Sequence, residues 1–442
     1  MVMNMCSQEV CVVVMMCLAV VAVSGYSNPC NQQKGTYKAT FSPLPVSADM
    51  SITPFFSPSG STPTLTKIVE DATDTVTIVT PNWKSWISCG DSYNSGCSPW
   101  QLRYETYDPL WVATLNAISR GVKVNVLSSY CTGQHALKPG LILPLTYLKL
   151  AGANVIEYQT TTYMHAKAVT ADNSVAAISS INLSKSSMSE NREAGLVFSG
   201  EGAAPVVDFI NKVLEHDLSY GASWPQFYTY NASDMEIIRD TKILKMPEYP
   251  TPPTCAPEVP ADPEPITGHM DVTILTQPDY TYETFTSAWN ATTDEFLLYI
   301  YVINSWDWCH NVNDLYNRGV DVKLMFSSSL VGNYPIALEC YKWLNENGLD
   351  IRLTKPKCLP FWHQKYFVMD GSKVAVSTGN LDSYDAPDAS VFPPVTESDG
   401  VQAYRGFAAI VENHDVVKTF TDVFWADWDA GFDYYPSWNF NN

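Results

Sequence analysis

Met164-His165-Ala166-Lys167-Ala168-Val169 alternates apolar with polar residues, and Trp362-His363-Gln364-Lys365-Tyr366-Phe367 spaces a histidine and a lysine in the same way. A period of two predicts a strand in each place, with His and Lys on the same face. The surrounding pattern also repeats: an apolar strand, a helix ending at Arg-Gly, a β-branched strand, and a second helix ending at Gly152 or Gly348. Phe296 to Ile303, rich in β-branched and aromatic residues, fits a buried strand. Strands alternating with helices at this length imply an α/β layered sheet in each half.

The order recurs because the chain is an internal duplication. Ser119-Arg120-Gly121-Val122-Lys123-Val124 returns 198 residues later as Asn317-Arg318-Gly319-Val320-Asp321-Val322, the offset that also separates His165 from His363. Upstream, Thr73-Asp74-Thr75-Val76-Thr77-Ile78 corresponds to Thr293-Asp294-Glu295-Phe296-Leu297-Leu298 at an offset of 220. The first half therefore carries an insertion, placed in Pro81 to Pro109, where Cys89 and Cys97 lie. Eight prolines between Met246 and Gly268 favour extended structure and mark a linker or surface strap. The expected organisation is residues 40–240 as the first half, 241–268 as the linker and 269–442 as the second half.

Within the repeat, His165-x-Lys167-x4-Asp172 and His363-x-Lys365-x4-Asp370 are each followed by an asparagine ten residues past the aspartate, Asn182 and Asn380. One such match in a chain this long has a chance on the order of a few per cent from average residue usage. Two that share a downstream asparagine are not a coincidence. Paired histidines with paired lysines supply what a double-displacement phosphoryl transfer needs: an imidazole to attack phosphorus, another to protonate the leaving oxygen, and cations to hold the charge. Phe361, Trp362, Tyr366 and Tyr384 suit either base stacking or core packing, with core favoured. Trp306-Asp307-Trp308-Cys309-His310 follows a strand, where α/β sites gather, and is a candidate edge of the cleft.

Composition narrows the setting. At 442 residues and 46% hydrophobic content the chain can bury cores in two lobes. Val10 to Val23, apolar and followed by Ser24 and Gly25, fits the core of a signal peptide over residues 1–25, with an uncleaved anchor as the alternative. Its removal leaves Cys30, Cys89, Cys97, Cys131, Cys255, Cys309, Cys340 and Cys358, an even set that suggests disulfides. Cys89 with Cys97 and Cys340 with Cys358 are the expected local closures. Sequons at Asn231 and Asn290 suit a glycosylated surface, and the whole points to the secretory pathway, with the protein secreted or in a lysosomal or endosomal lumen. No clustered Cys/His spacing suggests zinc. A net charge of -20 argues against nonspecific double-stranded DNA as a partner.

The duplicated His-x-Lys-x4-Asp pattern resembles the mark of the phospholipase D superfamily, over both halves from about Ser51 onward. The resemblance implies two tandem α/β/α sandwich lobes around one shared active site, without metal or cofactor. It implies a phosphohistidine on His165, His363 as general acid and then general base, phosphate contacts from Lys167, Lys365, Asn182 and Asn380, and structural roles for Asp172 and Asp370. Glu193, in Asn191-Arg192-Glu193-Ala194-Gly195, sits where the family places a carboxylate that orients the nucleophilic histidine. The second half reads Ala403-Tyr404-Arg405-Gly406 at that place. His363 is therefore expected to lack an orienter or to borrow one from Asp382, Glu397 or Asp399, which would favour acidic pH. This asymmetry is similar to the lumenal branch of the superfamily, which includes lysosomal 5′-exonucleases on single-stranded nucleic acid. The expected activity is a phosphodiesterase on such a substrate. The alternatives are a phospholipase D acting on phospholipid with peripheral membrane contact, and a noncatalytic protein that binds phosphate ligands or lipid.

Overall fold

The computed structural model describes residues 37–90, 96–129, 138–158, 160, 162–225, 227–388 and 403–440. The expected signal peptide, Cys30, Cys131, Glu397 and Asp399 lie outside them. The first half runs β1 (Leu44–Phe56), α1 (Ser61–Asp71), β2 (Thr75–Val79), α2 (Pro99–Tyr104), α3 (Pro109–Ser119), β3 (Lys123–Ser128), α4 (Pro139–Ala151), β4 (Asn154–Glu157), β5 (Thr162–Met164), β6 (Ala168–Ala171), β7 (Val175–Ser179), α5 (Lys185–Ser189), β8 (Ala194–Ser199), α6 (Ala204–Ser219), β9 (Ala222–Ser223) and α7 (Ala232–Ile238). The second half follows with β10 (Ile266–Gln277), α8 (Thr281–Asn290), β11 (Glu295–Ile300), β12 (Ile303–Asn304), α9 (Trp306–Asn317), β13 (Asp321–Phe326), α10 (Pro335–Glu346), β14 (Asp350–Leu353), β15 (Lys365–Met369), β16 (Lys373–Ser377), β17 (Leu381–Asp382), β18 (Ala403–Glu412), α11 (His414–Ala430) and β19 (Phe432–Asp433).

Bonded neighbours in the first half are β1-β8-β7-β6-β2-β3-β4-β9, and in the second β10-β18-β16-β15-β11-β13-β14-β19. The order is the same in both, with parallel pairs at β2-β3-β4 and β11-β13-β14. Parallel neighbours need crossovers, which α3 and α4, and α9 and α10, supply. The Arg-Gly signals fall where those crossovers turn. Arg120 and Arg318 are the C-caps of α3 and α9, and Gly121 and Gly319 follow at φ 86° and 91°, a region glycine enters without strain. Each arginine then bonds backbone carbonyls at the end of another helix, Val69 and Glu70 of α1 for Arg120 and Trp289 of α8 for Arg318.

β1 pairs antiparallel with β10 from Leu44↔Ile274 to Ile52↔Ile266, so the two sheets join edge to edge. One core spans that seam under α6 and α11 and includes Ile52, Phe56, Ile274, Leu297, Val376 and Phe420. Two further cores belong one to each half. The expected insertion is present: residues 80–108 separate β2 from α3, whereas residues 301–305 separate β11 from α9.

Cys89 pairs with Cys97 as expected. Cys340 does not pair with Cys358. It bonds Cys309, because α9 and α10 lie side by side with Cα atoms 6.0 Å apart. Cys358 instead receives Cys255 from the proline-rich segment, with Cα atoms 5.5 Å apart. Among the described residues no helix is long and apolar enough to cross a membrane.

Candidate active site

Each motif histidine sits where one half passes a backbone bond to the other. His165 N donates to the Arg405 carbonyl at 2.8 Å, and His363 N to the Arg192 carbonyl at 2.7 Å. These bonds extend the parallel pairing of β5 with β18 and the bridge between Arg192 and Trp362. The arginines are fixed across the same seam. Arg192 forks onto Asp427 of α11 at 2.9 and 3.0 Å, and Arg405 meets Asp217 of α6 at 3.0 Å. All four side chains are buried, and charge buried this deeply is tolerable only when fully paired.

Both imidazoles are held from behind. His165 Nδ1 donates to Asp385 Oδ1 at 2.8 Å and His363 Nδ1 to Glu193 Oε2 at 2.8 Å. The carboxylates are fully buried, while the rings keep 16% and 15% of their side-chain surface open. A ring bonded at Nδ1 leaves Nε2 for the reaction, and the bond sets its tautomer. Each carboxylate comes from the opposite half.

Glu193, expected to orient His165, therefore orients His363. The reason lies in the bridge: Arg192 bonds the second-half segment at His363, so the residue after it faces that histidine. Ser180 Oγ, at 2.6 Å, and Asn191 Nδ2, at 3.2 Å, also donate to Glu193. By the same relation Gly406 is the counterpart of Glu193, and a Cβ there would come within 2.4 Å of Gln277 Oε1 and 2.7 Å of Thr378 Oγ1. No side chain fits, so the second carboxylate arrives from the turn after Asn380. Asp382 shapes that turn by accepting the amides of Tyr384 and Asp385 at 2.9 and 2.8 Å, and Asp385 accepts the Asn380 amide at 2.8 Å. Trp308, buried in the first turn of α9, donates its indole N–H to the Ala386 carbonyl at 2.8 Å and grips the same loop.

The lysines lie beneath the histidines, both buried. Lys167 Nζ donates to the His165 carbonyl at 2.6 Å and to the Thr378 carbonyl of the other half at 3.1 Å. Lys365 Nζ donates to the His363 carbonyl at 3.0 Å and lies 3.1 Å from His363 Nε2. Burial, and then the charge of Lys365, pull Lys167 well below the usual lysine range; burial brings Lys365 down to about 8. Burial, then Lys167, Lys365 and His363, pull His165 well down. Burial also lowers His363, but there the Glu193 charge works in the opposite direction. Burial pushes Asp385 up to about 6, and burial with the Asp385 charge pushes Asp382 up to about 7. Two crowded ammoniums and two depressed imidazoles describe a site short of negative charge, which one phosphate would supply.

A sequence profile described as "Cardiolipin synthase, PLD-like domain" matches residues 99–218 and 286–388, half of the chain, and takes in both histidine motifs. The chain belongs to the phospholipase D superfamily. Members of that superfamily act on phosphodiesters. Among solved structures, the phosphatidylserine synthase of Haemophilus influenzae Rd KW20 is similar at a TM-score of 0.57 and 10% identity, covering 87% of this chain and 89% of that one. Nuc, a phospholipase D family member from Salmonella typhimurium, matches at a TM-score of 0.30 and 17% identity over 37% of this chain and 98% of its own. A search of curated proteins by sequence found no match. The likeness to the synthase shows the fold: two phospholipase-D-like lobes in one chain.

Within this phospholipase D fold the remaining motif residues take two kinds of place. Asp172 accepts the amides of Thr73, Asp74 and Thr75 and the Thr73 hydroxyl, and Asp370 accepts those of Thr293, Asp294 and Glu295. Both carboxylates bind backbone at the start of β2 and β11. Asn182 and Asn380 follow β7 and β16 at matching positions, half-buried. Sequence reasoning missed Asp385, whose signal is the absence of a carboxylate at Gly406. It also missed Tyr163 and Tyr404, whose rings lie 6.1 and 5.3 Å from that of His165. Of the four aromatics near the second motif, Trp362 and Tyr366 are core and Phe361 packs on the second-half core. Tyr384 stacks on Tyr404 at 5.1 Å.

Proposed function

We propose that this superfamily member is a hydrolytic phosphodiesterase that works through a phosphohistidine on His165 and releases nucleotides from the 5′ end of single-stranded nucleic acid. The observation that carries the chemistry is the pair of imidazoles, each bonded at Nδ1 to a buried carboxylate of the opposite half and each beside a buried lysine. His165 suits attack. Burial and then the charges around it oppose protonation, so its Nε2 lone pair is free to form the N–P bond as the P–O bond to the leaving group breaks. His363 suits the proton. Glu193 favours its imidazolium, which passes the Nε2 proton to the leaving oxygen and then takes one from water as that water displaces His165 from phosphorus. Lys167, Lys365, Asn182 and Asn380 hold the non-bridging oxygens. Because lysines do the work that divalent ions do elsewhere, activity should survive EDTA. Complete loss restored by Mg²⁺ or Zn²⁺ would sink this mechanism.

Three disulfides among the described residues support an oxidising lumen as the working compartment. A phospholipid diester would use the same groups, and the likeness to cardiolipin synthase domains supports phospholipid as the second substrate class. Nucleotide release from a 5′-hydroxyl oligonucleotide, set beside choline release from phosphatidylcholine at acidic and neutral pH, separates them. Nucleotide release alone is the expected result. Silence on both, and on a generic phosphodiester, would leave a protein that binds phosphate ligands without turnover.

A further inference from the structure

We propose that Tyr163, Tyr384 and Tyr404 form a stacking wall for the nucleobase beside the scissile phosphate, so that a base, whatever its identity, is required for efficient turnover. This deepens the nucleic-acid reading and rests on it. Tyr163 precedes His165 by two residues on the same face, and the two rings lie 26° from parallel at 6.1 Å. Tyr404 is the register partner of Tyr163 on β18 and stands edge-on at 5.3 Å to both Tyr163 and His165. Tyr384, on the turn that carries Asp385, stacks on Tyr404 at 5.1 Å and 21°. Three segments from two halves thus bring three rings to the nucleophile's side of the site.

A packing role alone would bury them, as it buries Tyr366 at 1% and Tyr301, beside His363, at 5%. Tyr163, Tyr384 and Tyr404 are instead all half-buried. Their mutual geometry also selects the ligand. An aromatic cage for a quaternary ammonium needs rings standing apart around the cation. Here neighbouring centroids are 5.1 and 5.3 Å apart, so the rings touch one another and leave no room between them. Touching rings make a surface, and a surface suits a flat partner. Every base offers a π-face, so such a wall recognises nucleotides without reading sequence.

The test compares a 5′-hydroxyl oligonucleotide with the same oligonucleotide carrying an abasic terminal residue, on the full chain. In the wild type, removing the base should lower kcat/KM roughly 10- to 100-fold, the worth of one base-on-aromatic stack, mostly through KM. Tyr404→Leu and Tyr384→Leu should bring the two substrates toward equality, and Tyr404→Phe should keep the wild-type ratio. Should Tyr404→Leu fail to fold by thermal melt, Tyr163→Leu measures the same ratio. An unchanged ratio in folded leucine variants overturns the wall and leaves the nuclease reading standing. No oligonucleotide turnover by the wild type overturns both. If choline release from phosphatidylcholine vesicles then falls in the leucine variants, the rings serve an ammonium instead.

Discussion

In the first half the carboxylate that crosses the seam is Glu193, one residue past the arginine that bridges to the other lobe; in the second half that place is Gly406, and Asp385 reaches the site from a separate turn. Ser180 and Asn191 hold Glu193 through its oxygens, whereas Asp385 depends on a turn built by Asp382 and gripped by Trp308. The end point is nevertheless the same, a 2.8 Å bond to a histidine Nδ1 of the opposite half. A two-fold site needs two carboxylates in symmetric places, but their backbone origins are free to diverge. The divergence leaves each histidine with a different electrostatic bias, and in the proposed mechanism that bias separates nucleophile from acid.

The sharpest break in the symmetry should come from the histidines themselves. His165→Ala should abolish turnover, by at least about 10⁴-fold, and no phosphoenzyme should form, because the attacking atom is gone. His363→Ala should cost roughly 10²- to 10⁴-fold on an ordinary diester, since only proton transfer is lost. With a p-nitrophenyl phosphodiester, whose leaving group needs no proton, that variant should accumulate an adduct on His165 detectable by mass spectrometry after an alkaline quench, which preserves the acid-labile N–P bond. An adduct on His363 in the His165→Ala enzyme would reverse the roles.

The carboxylates come next, at about 10²- to 10⁴-fold by analogy with an Asp→Asn change behind a catalytic imidazole. Asp385→Asn should slow every substrate, because it acts on the nucleophile. Glu193→Gln should slow ordinary diesters but spare the first p-nitrophenol burst from the p-nitrophenyl phosphodiester, because that step needs no proton, while the later water step still slows. The pH profile carries the same distinction. Asp385 must be ionised and sits near about 6, so kcat/KM should fall below that pH. His363 must be protonated, and burial lowers it, so kcat/KM should fall again as pH rises, giving a mildly acidic optimum. Asp385→Asn should erase the acid limb. Glu193→Gln should shift the alkaline limb to lower pH, since it removes the charge that favours the imidazolium.

The crossing of these carboxylates explains where sequence reasoning stopped. The Arg-Gly helix ends and the first-half insertion are local patterns and formed where those patterns indicated, whereas His165-Ala166-Lys167 link β5 to β6 and His363 precedes β15, so neither motif lies wholly within the strand its alternation predicted. Glu193 was legible as an orienter only through the family resemblance, which places such a carboxylate at its distance from His165. Its actual partner is His363, 170 residues away, and that contact exists only because the halves join through β1 and β10. Asp382 and Asp385 could not be told apart without the backbone of their turn. The same blindness to distance produced the Cys340–Cys358 expectation in place of Cys309–Cys340. Tyr404 looked like any other strand residue until β18 placed it beside Tyr163.

The seam pairs test how far the symmetry extends behind the site. Asp427→Asn leaves Arg192 buried beside the carbonyls of Ser57 and Pro257, and breaking such a pair costs about 3–5 kcal/mol. Asp217→Asn should cost less, because Arg405 keeps a second carboxylate, Asp279, at 3.4 Å, whereas both arginines lie over a ring, Tyr37 at 5.6 Å for Arg405 and Trp362 at 5.5 Å for Arg192. Urea titrations should rank Asp427→Asn below Asp217→Asn in midpoint. Equal losses would mean that Asp279 contributes nothing to holding Arg405.

The smallest effect should come from the motif aspartates, where the two halves are most alike. Asp172 and Asp370 sit at φ 50° and 49°, a left-handed conformation that asparagine also tolerates, so Asp→Asn removes charge without straining the backbone. Each variant should lose about 1–2 kcal/mol, the size of a lost cap, and keep kcat on a p-nitrophenyl ester. Their dependence on pH has a definite sign. Burial opposes ionisation of Asp172, yet the amides of Thr75, Thr73 and Asp74 outweigh it and hold the group down to about 2. A carboxylate lower in the folded than in the unfolded chain stabilises above the unfolded value, and the contribution fades as pH falls through the folded one. Partial exposure shrinks that term. The melting-temperature gap between wild type and Asp172→Asn should therefore be widest near neutrality and close between about pH 4 and 2. A large loss of kcat in either variant, with stability unchanged, would move these aspartates from the scaffold into the chemistry.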